Sequence, residues 1–370
     1  MRLRTKILGS ILLVVVVAIS ALAIALSHNS PCPSAALPQQ AGANSMKAIV
    51  YRCYGSAEVA KVETVARPTP GANDVLIKVH GASINPLDWH RMRGEPYLMR
   101  LGSGFGAPHE ARLGVDYAGT VEAVGANVTR FKPGDRVFGG ADGTLADYVV
   151  ARANGWIDLM PTNVSFEEAA AVPVAALTAL QAVRDHGKVQ PGQRIVVNGA
   201  AGGVGTFTVQ IAKALGAEVT AVTSTGNLAL VRKIGADHVI DYTQEDFTRG
   251  SQRYDVIVDC GGGHSLLDFK RALTPKGNYV VVGDANMGRW IGPVFTFLLA
   301  PAAMSRFTNQ HFDFFVASPS GADLKTLRDL MQDGKVRPVI DGIYPLSRMP
   351  EAMAHLETGH ARGKVVIAVE

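Results

Sequence analysis

Three cysteines in 370 residues, Cys32, Cys53 and Cys260, leave no C-x-x-C pair anywhere in the chain. That excludes a cysteine-built zinc site or dithiol redox motif of the usual spacing. Histidine numbers ten, yet no two form an H-x-x-x-H or H-x-H pair, the spacings that set two imidazoles on one face of a helix or strand. Basic runs are missing as well. Of the formal net charge of +4, Arg2, Arg4 and Lys6 account for three, so the chain from Met46 onward carries +1 and offers no nucleic-acid surface. There is no internal repeat and no low-complexity tract. What the chain does have is apolar mass: 47% hydrophobic content over 370 residues supplies a core for each of two domains.

The densest signal is Val196-Val197-Asn198-Gly199-Ala200-Ala201-Gly202-Gly203-Val204-Gly205. A β-rich run enters a glycine cluster, and Val204, Phe207, Ile211 and Leu215 then recur at the spacing of one helix face. Such a turn cradles a dinucleotide. Gly202 lets a pyrophosphate approach the backbone, Gly205 lets the helix pack closely on the strand, and the N–H groups of the helix start attract phosphate. Ala200 stands where G-x-G-x-x-G has its first glycine, so the pattern is A-x-G-x-x-G.

A second strand, Glu218–Thr223, ends where an NAD enzyme places an acidic residue on the ribose 2′-hydroxyl. Thr223, Ser224 and Thr225 stand there instead. Hydroxyls without a carboxylate favour NADP, whose 2′-phosphate accepts their hydrogen bonds. The turn itself holds no Lys or Arg, so Arg232 or Lys233 in the next helix would have to supply positive charge.

Several ordered motifs then carry a family resemblance: Ser83-Ile84-Asn85-Pro86-Leu87-Asp88, Gly114-Val115-Asp116-Tyr117-Ala118-Gly119, Lys132-Pro133-Gly134-Asp135-Arg136-Val137, Ala200 to Gly205, and Ala361-Arg362-Gly363-Lys364-Val365-Val366-Ile367. Over residues 46–370 the chain resembles the medium-chain dehydrogenase/reductase superfamily, in its zinc-free, quinone-reductase-like branch. The resemblance implies an α/β fold in which a Rossmann dinucleotide-binding domain is inserted in a GroES-like, β-rich substrate domain. The expected division is 46–172 for the first part of the substrate domain, 173–314 for the nucleotide domain and 315–370 for the return. Strands expected over His238–Asp241, 255–259 and 278–283 fit that plan. Zinc-dependent relatives hold their metal with a Cys and a His–Glu pair. Here those places are Asn85 and Val115-Asp116, which argues against a metal.

The same resemblance nominates site residues. Asn85 is the expected donor to charge developing on the acceptor oxygen, and Tyr97 and His90 in the following loop are further donors or proton relays. Gly202, Gly203, Val204 and Gly205 would hold the pyrophosphate, with Ser224 and Thr225 at the adenosine ribose or its phosphate and Tyr242 packed beside it. Gly261, Val282 and Gly283 would border the nicotinamide ribose, because they end parallel strands. Lys364 would reach the cofactor or form a rim salt bridge. The implied activity is hydride transfer from NADP(H) to a quinone or an activated, lipophilic enone or aldehyde. The alternatives are a zinc-free alcohol dehydrogenase, an enoyl-thioester reductase, or a membrane-tethered NADPH-binding sensor or scaffold without turnover.

Residues 1–45 differ from the rest. From 7 to 26 the chain is uncharged and mostly aliphatic, about the length that spans a bilayer, behind Arg2, Arg4 and Lys6. Its length favours a single-pass anchor over a cleaved signal ending near Ala21, Ala23 or Ala25. A start at Met46 would instead leave the enzyme cytoplasmic, beside its hydride source. A second apolar stretch, 290–300, is too short to span and is broken by Gly292-Pro293. It reads as a buried cap or a subunit contact of a homodimer, or as a wall of the substrate cleft or a lip touching lipid.

Overall fold

Strands buried on both faces read as continuous apolar runs, and Arg194–Asn198, Glu218–Thr223 and Tyr254–Asp259 are of this kind. In the computed structural model, which describes residues 2–33, 44–282 and 288–369 (backbone only for 2–12, 16 and 291–298), they belong to one parallel sheet of six strands. Its order is His238–Asp241, Glu218–Thr223, Arg194–Asn198, Tyr254–Asp259, Leu273–Val281 and His311–Phe314. This is the doubly wound order, which reverses between Arg194–Asn198 and Tyr254–Asp259 and opens a crevice at their carboxyl ends.

The second sheet is built mostly of antiparallel pairs around the long strand Asp74–Ile84. That strand pairs with Asp116–Val124 and Tyr148–Arg152 in the first half of the chain. It also pairs with Lys364–Ala368 at the other end of the sequence, with Val365 opposite Ile84. The C-terminal return therefore sets Lys364 beside Asn85, the residue that follows the central strand. A hairpin-like pair, Ser45–Val50 with Lys61–Ala66, adds to this lobe.

The two lobes share a core. Val197, Phe207, Ile211 and Val258 of the nucleotide sheet and its first helix belong to one apolar cluster with Leu177 and Leu180 of the helix Pro173–Gln181, and with Ala118 and Phe138 of the other sheet. The helix Gly203–Ala214 has its expected apolar face, with Phe207 and Ile211 buried and Val204 and Leu215 partly so. Its other face is covered too: Gln210 exchanges two hydrogen bonds with the backbone of Arg337.

The amino terminus corrects an expectation. Arg2–Ser27 form a helix, but among the described residues no helix is long and apolar enough to cross a membrane, so the single-pass anchor is overturned. The physical counterpart lies at the helix end, which is built into the substrate lobe. Leu26 is buried, and the guanidinium of the fully buried Arg100 donates to the carbonyls of Leu26 and His28. Ser30 N–H then donates to Gly106, and Cys32 is joined to Cys53 by a disulfide with Cα atoms 5.1 Å apart, a pairing the sequence did not suggest.

Candidate active site

Asn85 follows the central strand and caps the helix Pro86–Arg93. Its own N–H donates to the Asp88 carboxylate at 2.8 Å, the reciprocal bond of a capping box. Asp88 is fully buried, so desolvation pushes its pKa up to about 6. The Asn85 side chain is only 2% exposed and engaged on both sides. Its Nδ2 donates to Asp116 Oδ2 at 2.9 Å, and its Oδ1 accepts from the Lys364 ammonium.

Asp116 collects donors from three segments: Ser83 Oγ at 2.8 Å, the Asn85 amide, and Val174 N–H at 2.9 Å in the first turn of Pro173–Gln181. A carboxylate at a helix start is favoured by the backbone dipoles there. Lys364 Nζ also donates to Ile84 O at 3.2 Å and lies 3.7 Å from Asp116 Oδ2. Burial pushes Asp116 up and Lys364 down. Three donors on the carboxylate and two acceptors on the ammonium offset part of that desolvation. Lys364, expected at the cofactor or in a rim salt bridge, thus has its charge turned to the donor amide inside the junction. Among the described residues no group of three or more His, Cys, Asp or Glu is placed to hold a metal ion.

Facing this network are the carboxyl ends of the parallel strands. Gly199 has φ +76°, and a Cβ there would come 2.9 Å from Gly261 N, so two turns touch backbone to backbone. A Cβ on Gly205 would lie 2.2 Å from Gly199 O, whereas one on Gly202 would meet only Gly199 O, at 3.4 Å. Gly205 is thus closed by packing, whereas space remains beside Gly202 on the side away from its bridge to Gly363. Ala200 is buried, with its N–H on Val222 O. These residues fit a dinucleotide, whose pyrophosphate would lie on the N–H groups ahead of the first helical bond, Thr206 N–H to Gly202 O.

The neighbouring turns are held by a buried polar cluster. Asp259 accepts from Asn198 Nδ2, from the N–H groups of Gly261 and Gly262, and from Tyr279 OH at 2.8 Å. Val282 N–H donates to Asp259 O, and Gly283 lies outside the described residues. At the second strand, Ser224 Oγ accepts from Asn227, and Tyr242 is 60% exposed. Thr225 Oγ1 donates to Asp241, so a carboxylate from the strand His238–Asp241 does stand at this turn. Hydrogen bonds from Thr225 and Thr243 hold its pKa below the usual range. Arg232 and Lys233 are exposed at the end of Leu228–Lys233. The cation that the fold brings to the turn is Arg362, whose Nη2 is 3.7 Å from where a Cβ on Gly226 would sit.

His90 and Tyr97 are placed otherwise than Asn85. His90 is buried, stacked on Trp89 at 3.8 Å, and its Nδ1 is on Glu95 O at 2.7 Å. Desolvation lowers its pKa, so it is the neutral imidazole that donates this bond. Tyr97 meets the edge of Trp290 at 5.1 Å and the Arg100 guanidinium at 4.7 Å, and its N–H donates to Arg289 O. Together with the Arg289–Glu95 ion pair at 3.1 Å, these contacts join the loop after Pro86–Arg93 to the start of the 290–300 stretch, where Trp290 is half exposed.

Asp116, Ser83, Asp259, Asp241 and Arg362 were not singled out as site residues from sequence. For Asn198 and Asp259 there was a signal: each is a polar residue ending an apolar strand, Val-Val-Asn and Val-Ile-Val-Asp. Arg362 had none, since only the chain's return places it.

A doubly wound parallel sheet with a glycine turn at its switch point, set against a lobe that carries a buried polar network, is the plan of a two-lobed, dinucleotide-binding protein. Residues 71–162 match the alcohol dehydrogenase GroES-like domain and 234–367 the zinc-binding dehydrogenase family. The mitochondrial NAD(P)H oxidoreductase RTN4IP1 of Bos taurus is 35% identical over 88% of this chain and 89% of its own length. The chloroplastic NADPH-dependent alkenal/one oxidoreductase of Arabidopsis thaliana is 34% identical over 92% and 85%. Among solved structures, the quinone oxidoreductase of Coxiella burnetii is 31% identical, with a TM-score of 0.76, over 88% of this chain and 100% of that one. The chain belongs to the medium-chain dehydrogenase/reductase superfamily, in its quinone-oxidoreductase-like group.

Proposed function

We propose that this chain is an NADPH-dependent, zinc-independent reductase of quinones or activated enones and aldehydes. The observation that carries the reading is the Asn85 amide. Its Nδ2 gives one hydrogen to Asp116, and no other acceptor among the described residues takes the second. A preorganised donor in a dry site stabilises charge that grows on an acceptor oxygen. The nicotinamide, when bound along Gly199 to Gly205, supplies the hydride.

The cation between Asn85 and Asp116 is the ammonium of Lys364, so these residues support hydrogen bonding as the means of charge stabilisation. Arg362 supports NADP(H): its guanidinium is exposed, has no carboxylate partner among the described residues, and borders the Ser224 to Gly226 turn. His90 and Tyr97 are better read as residues that build the rim. The names of the relatives support the acceptor class.

The test is NADPH and NADH oxidation by the purified chain against quinones, enals and simple ketones, with and without a chelator. Turnover of quinones or enals that survives chelation is expected. Activity lost to chelator and restored by zinc, or confined to simple ketones, would overturn the reading.

A further inference from the structure

Lys364 is the one buried lysine among the described residues. The residue before it bonds the nucleotide lobe, where Gly363 N–H donates to Ala201 O at 2.8 Å and Gly363 bridges Gly202, and a Cβ on Gly203 would lie 3.3 Å from the Cδ of Lys364, which itself opens the substrate-lobe strand Lys364–Ala368. Its ammonium points the other way, to Ile84 O and Asn85 Oδ1, with Asp116 at 3.7 Å. One side chain thus runs from the glycine turn to the donor amide.

An asparagine amide has two flips, and its neighbours choose between them. With Nδ2 toward Asp116 and Oδ1 toward Lys364, both contacts are attractive. The reverse flip would set NH2 against an ammonium and a carbonyl oxygen against a carboxylate. We propose that Lys364 is a positioning residue for hydride transfer: with Asp116 it holds the Asn85 amide in the flip that presents an N–H, rather than a carbonyl oxygen, to the acceptor. The proposal rests on the reading of Asn85 as that donor. The cation also withdraws electron density through Oδ1 and makes the remaining N–H a stronger donor.

The experiment compares full-length N85A, K364M, the double variant N85A/K364M, and K364M/D116N, using NADPH and a quinone that the wild type reduces. K364M is expected to lower kcat by at least about tenfold, with quinone KM and NADPH Kd held within about twofold. In the N85A background the same change should cost less than about twofold, because the two residues act as one unit. K364M/D116N removes the buried charges together and guards against misfolding of K364M. It should fold and show the same loss of kcat. A K364M loss that multiplies in an N85A chain already slowed refutes the role of Lys364 alone, as does full kcat in K364M/D116N. An unchanged kcat in N85A refutes the donor reading beneath it.

Discussion

Asn85 has two amide hydrogens, and the fold commits one of them. Replacing Asn85 by Ala removes the other while leaving every nucleotide-side contact in place, so kcat should fall on the order of 100-fold with NADPH affinity unchanged, as steady-state rates and fluorescence titration would show. At the opposite end of the cofactor, Arg362→Ala should weaken NADPH by at least about tenfold, or about 1.4 kcal/mol, and leave NADH unaffected. Equal losses for both cofactors would remove Arg362 from the 2′-phosphate. These two residues differ in how legible they were. Asn85 sits in a local motif that names its place, at the end of a strand and ahead of a proline. Arg362 and Asp241 reach the adenosine turn only through the chain's return and the parallel pairing of His238–Asp241 with Glu218–Thr223. No spacing along the chain encodes that meeting, and the inference that no carboxylate stands at the turn failed for the same reason.

The helix Pro86–Arg93 illustrates how an element carries both stability and function. Its capping box ties Asp88 to Asn85, so the donor is held by its own helix start. The cost is a carboxyl group buried with Oδ1 unpartnered and a pKa raised to about 6. A raised carboxyl pKa means that the folded chain binds the proton more tightly than the unfolded chain does. Stability from this group is therefore full below about pH 4, declines as pH rises toward 6, and is flat above. Asp88→Asn keeps an acceptor for the Asn85 N–H and abolishes the titration. It should raise stability above pH 6 by up to about 3 kcal/mol and flatten the melting profile between pH 4 and 6. An unchanged pH slope in thermal melts would show that Asp88 does not titrate in this range. The glycine turn was the most legible element, because a change of period from two to 3.6 and the glycines mark it locally. The Asp259 cluster that braces it was not, since Asn198, Asp259 and Tyr279 meet only once three strands are side by side.

At the scale of the whole molecule, the segment before Met46 was the part most poorly read. Hydropathy and flanking charge describe a run of residues, but not where its end packs, and here the end packs on the enzyme. Leu26, the Arg100 clasp and the Ser30–Gly106 bond tie it to the loop that also carries Tyr97, and the Cys32–Cys53 disulfide ties it to the turn after Ser45–Val50. Deleting residues 1–45 leaves the Arg100 guanidinium, itself stacked on Tyr54 and Tyr97, without two of its carbonyl acceptors and Cys53 without its partner. Each unmet hydrogen bond to a buried charge costs about 1.5–3 kcal/mol, so a net loss of about 2–5 kcal/mol is expected once water partly replaces the carbonyls. Cys32→Ser alone separates the covalent share, about 3 kcal/mol for a closed loop of this size. Both changes should raise amide exchange over residues 93–106 while leaving residues 194–223 protected, because among the described residues no hydrogen bond ties the nucleotide sheet to the deleted segment. NADPH affinity of the truncated chain should accordingly stay within about twofold of the full chain. Should truncation leave both the melting temperature and exchange over 93–106 unchanged, the segment is an appendage after all, and the clasp contributes nothing to the rim it touches.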